Sequence, residues 1–278
     1  MSRTTPTSVA TRATAFVALA LLCSWVPWGL LALTGEEPMA GVGPTVLFAL
    51  GGLGPGIAAL ALLWKVEGRA GLAGLGRQLR RWRLGRAGWL LLAPLPVAVL
   101  GVSILVAVDR VPLEPSVGAT LPLVPLFLLS SVVFGGLEEI GWRGYLQPLL
   151  QTRYRAVTAA LMVGAVWSLW HAPLFLLEGT GQAATSAASF TLGAFGLSVL
   201  FAWVLNHTRG NVLLLILLHA ALNGWYAATV QGLAPSAQEA GFGTVTALLA
   251  VALALALLAR VGGGLGLEDG PGTRTGSG

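Results

Sequence analysis

Charge is what this sequence has least of: only 10% of its 278 residues are Asp, Glu, Lys or Arg, and just three are histidine. A soluble domain carries roughly a quarter charged residues, so an ordinary water-exposed globular surface is excluded. Cysteine is nearly missing as well. Cys23 stands alone inside an apolar run, which excludes an intramolecular disulfide and a cysteine-based metal centre. No H-E-x-x-H pair of zinc-ligating histidines occurs. No 20–50-residue period or internal repeat is present either, which argues against a solenoid and against repeat-built transporters.

What fills the chain is apolar: 55% hydrophobic residues and a mean hydropathy of +0.80. Uncharged runs at Thr14–Leu33, Val42–Trp64, Gly88–Val108, Pro115–Leu137, Ala156–Leu177, Thr185–Leu205, Gly210–Val230 and Gly241–Ala259 are each long enough to cross a hydrocarbon core of about 30 Å at about 1.5 Å per residue. The expected fold is therefore all-α: a polytopic membrane protein of about eight transmembrane helices around a polar intramembrane site. The first run exceeds the 7–15 residues typical of a signal-peptide core and is followed by no small-residue cleavage site, so it reads as a span.

Basic residues near span ends are retained on the cytoplasmic side. Eight helices threaded from a cytoplasmic N-terminus put Arg3, Arg12, the block Lys65 to Arg86, Arg143, Arg153, Arg155, Arg209, Arg260 and Arg274 inside, with Arg110 outside. Glu36, Glu37, Glu114, Glu178 and Glu239 fall in outer loops. The expected location is the plasma (inner) membrane, with both termini cytoplasmic. Topology and attraction to an anionic leaflet explain the net charge of +5, so no nucleic-acid partner is implied.

Residues 1–12 read as a cytoplasmic segment and 13–261 as one helical membrane domain. The tail 262–278 is too Gly-rich and too poor in apolar content to order itself. The loop from Lys65 to Ala87 alternates arginines with Leu and Trp82, the pattern of a solvated topology anchor or of an amphipathic helix on the leaflet.

Against this background a few polar groups stand out, because an ionisable side chain at mid-membrane costs at least about 2.5–3.5 kcal/mol. Leu137-Glu138-Glu139-Ile140-Gly141-Trp142-Arg143 closes the fourth run. If the helix continues through it, Glu139 and Arg143 lie one turn apart and pair, while Glu138 points about 100° away, free to act as a base. The plain alternative puts both glutamates at the headgroup level beside Arg143. Segment five carries His171 as its one ionisable group; segment seven carries His219 with Asn223 one turn later. His207, in the turn before segment seven, reads as a loop residue without a chemical role.

Glu138-Glu139-x-x-x-Arg143, Trp167-x-x-x-His171 and His219-x-x-x-Asn223 together resemble the three polar motifs of the CAAX protease and bacteriocin-processing family, over about residues 115–226. Relatives include the Ras-converting CAAX prenyl endopeptidases and the Abi-type immunity proteins. The resemblance implies an intramembrane (metallo)endopeptidase acting on a peptide or protein substrate at the lipid bilayer. Glu138 would activate water, Glu139 and Arg143 would hold Glu138, and His171 would help to position the water. His219 and Asn223 would stabilise the oxyanion. The second motif usually begins with Phe, so Trp167 is a departure in the cavity wall. Glu138, His171 and His219 also suffice for a Zn2+ site with an open position; a glutamate with a His/Asn oxyanion site needs no metal, and both readings stay open.

Two other functions fit parts of the pattern. A non-catalytic immunity or partner-binding protein would use the same polar cluster as glue between helices. A proton-coupled transporter would use it as a relay.

Overall fold

Inside hydrocarbon a backbone must satisfy its own hydrogen bonds, and an apolar run of this length does so as a helix. The computed structural model describes residues 6–82, 101, 121–230 and 241–267, and the secondary structure among them is helical, with no strand. The helices are α1 (Pro6–Thr34), α2 (Val42–Gly52), α3 (Gly54–Leu79), the broken path Val124–Gln151, here α4, α5 (Ala156–Trp170), α6 (Ala187–His207), α7 (Val212–Ala228) and α8 (Phe242–Val261).

Among the described residues five helical segments are long and apolar enough to cross a membrane, six if α2 and α3 form one span. The expected count of eight is not confirmed among them. The run Gly88–Val108 lies, apart from Gly101, outside the described residues, as do residues 115–120. Helix α7 has 17 α-helical residues and continues as a π turn over residues 229–230, where the described stretch ends. The run expected as one span over Val42–Trp64 bends by 49° at Leu53. Glycines flank that bend and Pro55, which has no N–H to give, sits in the first turn of α3.

Helix α3 then runs past Trp64 to Leu79, through much of the expected loop. Its kink lies at Gly68, whose φ of 61° glycine alone adopts freely.

Helix α4 positions the site. It is α-helical over Val124–Val133, breaks at Phe134 and Gly135, and makes a 3-10 turn at Gly136–Glu138. A single α-turn follows at Glu139–Gly141, then a π turn at Trp142–Leu146 and a last α-helical stretch at Gln147–Gln151. The path thus continues well beyond Leu137, the expected end of the fourth run. Glu138 and Glu139 fall at its midpoint, and Arg143 is wholly enclosed. The pairing of these charges is what lets the helix continue.

Helix α6 lies along α5 and α8, α7 lies along α4, and α1 lies along α2 and α3. Small residues make the α6–α8 seam: Gly193 and Gly196 face Ala247 and Ala250, the close approach that drives helix association where no hydrophobic effect operates. Helices α6 and α7, although consecutive, meet only briefly.

An aromatic core of Phe16, Trp28, Trp142 and Trp170 joins α1 to α4 and α5. Its buried indoles are satisfied: Trp170 Nε1 donates to Ser24 Oγ at 2.6 Å and Trp28 Nε1 to the Phe48 carbonyl at 3.1 Å. Leu33, Leu129 and Leu255 stand outward, 84%, 69% and 61% exposed. Such side chains are at home against lipid tails, and the chain is a multi-pass membrane protein.

Residues 262–267, at the start of the segment read as a disordered tail, fold back on the bundle. Val157 N donates to the Gly263 carbonyl at 3.0 Å, Asn206 Nδ2 to the Leu265 carbonyl at 3.2 Å, and Leu265 is buried among α5, α6 and α8. Residues 268–278 lie outside the described residues.

Replacing Ser24 with Val leaves the Trp170 indole N–H without its acceptor between α1 and α5. The expected cost is about 1–3 kcal/mol, read as a lowered midpoint of reversible unfolding in mixed micelles.

Candidate active site

Helical spacing puts Glu139 and Arg143 one turn apart, and the side chains meet as that spacing predicts. Arg143 Nη1 donates to Glu139 Oε1 at 3.0 Å, with both residues wholly buried. Arg143 Nη2 donates to Ser198 Oγ on α6 at 3.1 Å. The guanidinium carbon also lies 5.0 Å from the ring centres of both Trp167 and Phe201. A planar cation lying over aromatic faces and making paired hydrogen bonds is arginine chemistry that lysine cannot copy.

Glu139 Oε1 has a second partner, His219 Nδ1, at 2.8 Å. The carboxylate therefore joins the centre of α4 to α7. With Nδ1 facing a carboxylate acceptor, Nδ1 is the protonated nitrogen of the ring and Nε2 is left for the cavity.

Glu138 is held differently. Its Oε2 accepts from Trp167 Nε1 at 2.8 Å and from Trp142 Nε1 at 3.3 Å, while Oε1 has no hydrogen-bond partner among the described residues. The departure at Trp167 thus reaches the carboxylate itself, because phenylalanine has no N–H to offer Glu138. From the sequence Trp167 is a departure in the cavity wall alone.

Trp167 also packs edge-on against His171, at 5.7 Å, and His219, at 5.5 Å. It touches every other ionisable member of the site except Glu139.

His171 does not lie within the helix proper. Helix α5 ends at Trp170, and a 3-10 turn containing Pro173 follows. The Nδ1 of His171 is 2.8 Å from the Trp167 carbonyl, and its ring packs against Trp170 and Phe190.

Asn223 stands one turn beyond His219, and its amide makes no hydrogen bond to a described residue. The break in α4 brings the bare backbone of Gly135 against both side chains. A Cβ there would collide with the Asn223 amide nitrogen and lie 3.3 Å from His219 Nε2. Asn223 Nδ2 and His219 Nε2 therefore converge on one spot beside Gly135.

His171, His219, Asn223 and Trp167 line one cavity of about 490 Å³. The rest of its wall is largely apolar, from α6 (Phe190, Leu197, Phe201) and α8 (Ala250, Leu253). Glu138 reaches this wall through its bond to Trp167. His207 takes no part; it stacks on Trp203 at the end of α6.

Among the described residues no three or more His, Cys, Asp or Glu side chains cluster closely enough to hold a metal ion. Two contributors escaped the sequence reading. Trp142 lies one helical turn after Glu138, a spacing that could have suggested it, whereas Ser198 is one of several hydroxyl residues in an apolar span and gave no signal.

A carboxylate, two imidazoles and an amide gathered about an apolar cavity define the class: a helical membrane protein with an internal polar site. Residues 120–225 match the family model described as Type II CAAX prenyl endopeptidase Rce1-like. A similar protein is the CAAX prenyl protease 2 of Methanococcus maripaludis, 31% identical over 108 residues. That alignment covers 37% of this chain and 38% of the relative. Over these residues the chain is similar to the Rce1-like endopeptidases, and the resemblance carried by the three motifs is borne out there.

Glu139→Gln removes the counter-charge of an enclosed guanidinium. The expected loss is about 3–5 kcal/mol of folding stability, measured by denaturant titration of the purified protein.

Proposed function

We propose that this protein is an intramembrane endopeptidase of the CAAX-protease type. The observation that carries the reading is the convergence of His219 Nε2 and Asn223 Nδ2 on one spot of the cavity that Trp167 and His171 also line, with Glu138 bonded to Trp167. The partial match to a relative named as a prenyl protease adds support.

In this mechanism a peptide segment enters the cavity with its scissile carbonyl oxygen beside Gly135. Glu138, oriented by two indole N–H groups, takes a proton from water through its free oxygen. The hydroxide forms a bond to the carbonyl carbon, and the carbonyl π pair moves onto oxygen. Asn223 Nδ2 donates to that oxyanion; His219 Nε2 donates too when its ring is doubly protonated, with Glu139 as counter-ion. Glu138 then delivers its proton to the leaving nitrogen as the C–N bond breaks. His171, fixed through Nδ1, offers Nε2 to the water.

No step of this scheme uses a metal. The substrate class proposed is a peptide or protein presented at the membrane. The glue reading accounts for Glu139, Arg143 and His219, but leaves the cavity-facing amide of Asn223 and the free oxygen of Glu138 without a role.

Cleavage of a quenched fluorescent peptide library by purified protein tests the proposal. Glu138→Gln should abolish turnover while the melting temperature holds, and Asn223→Ala should lower kcat by about 10²–10³-fold. A chelator should leave the rate unchanged; a rate lost to chelation and restored by Zn2+ would replace this mechanism with a metal-based one. Cellular function retained by Glu138→Gln would reject catalysis altogether.

A further inference from the structure

Glu139, Arg143, Gln147 and Gln151 recur every four residues along α4. The first three are wholly enclosed, whereas Gln151 is partly exposed where α4 turns into α5. The stripe is hydrogen-bonded at both ends: Arg143 to Glu139, then Gln147 Nε2 to Gln151 Oε1 and Gln151 Nε2 to Asn206 Oδ1 at 3.0 Å.

Its middle is not. Glu139 Oε2, Arg143 Nε and Gln147 Oε1 are buried polar atoms without a partner, three of the four such atoms among the described residues. Orphaned buried donors and acceptors cost about 1–3 kcal/mol each, and nature seldom leaves three in a row.

The three are complementary. Arg143 Nε–H is a donor, and Gln147 Oε1, four residues further along the same path, is an acceptor. A water between them would accept from Arg143 and donate to Gln147, and Glu139 Oε2 offers a further acceptor. Two to four polar partners are what a buried water requires. A direct bond between the two side chains would satisfy only two of the three orphans.

We infer that Glu139, Arg143, Gln147 and Gln151 hold a file of buried water that connects the polar site to the membrane face at the α4–α5 turn. Gln151 and Asn206 form its mouth, and the ion pair of Arg143 with Glu139 its inner end. None of the four stripe residues lines the apolar cavity, so the file is separate from the greasy space in which a substrate would lie. Its role as the supply of hydrolytic water rests on the protease reading; its existence does not.

The test is water exchange at one side-chain proton. In full-length protein labelled with 15N-arginine and held in nanodiscs, the Arg143 Nε–H signal, assigned by its loss in Arg143→Lys, should show an exchange cross-peak with water despite full burial. Gln147→Leu should slow that exchange at least tenfold, and so should Gln151→Leu, a milder change at the partly exposed mouth that decides the matter if the first variant does not fold. No cross-peak in wild type overturns the inference, as does exchange unchanged in a folded variant. Turnover forms a separate arm: Gln147→Leu should lower kcat several-fold at constant KM. A wild type that cleaves nothing yet shows the cross-peak would reject the protease and keep the file.

Discussion

One oxygen atom organises this bundle. Glu139 Oε1 takes a guanidinium N–H from its own helix and an imidazole N–H from α7, in an interior where an unpaired charge is prohibitive. Arg143 cannot be enclosed without Glu139, and α4 cannot carry both through the middle of the bundle without α6, whose Ser198 and Phe201 complete the cage. Helices α4, α6 and α7 therefore have to meet at this depth. That meeting fixes the ring of His219 and leaves its other nitrogen to face the cavity.

Around that point the backbone of α4 departs from regularity in both directions. The break at Gly135 opens a space against His219 and Asn223, and the π turn beyond Gly141 carries Trp142 and Arg143. Such single-turn π segments often mark functional sites. Trp167 then links the parts. Its N–H holds Glu138, its face meets Arg143, and its edges meet both histidines.

The sequence made some of this legible and hid the rest. The four-residue spacing of Glu139 and Arg143, like that of His219 and Asn223, is a local helical relation and survives into the fold unchanged. The link from Glu139 to His219 joins residues eighty positions apart, and only packing could reveal it. To hydrophobic patterning Trp167 is aromatic bulk, whereas its effect on Glu138 comes through a single N–H that such patterning does not register. Apolar runs also overstate regularity: the bend at Leu53 and the end of α5 before His171 interrupt stretches that composition alone presents as continuous. The end of the fourth run was misplaced because a charged pair normally marks a membrane boundary, and here the charges neutralise one another inside.

Helix α8 presents Leu253 to the cavity and Leu248 and Leu255 outward, and it is held to α6 by a seam of small residues. Among the described residues that wall of the cavity is thus a single helix thick. A side chain changed on α8 reshapes the cavity and the outer surface of the bundle together, so the two cannot vary independently.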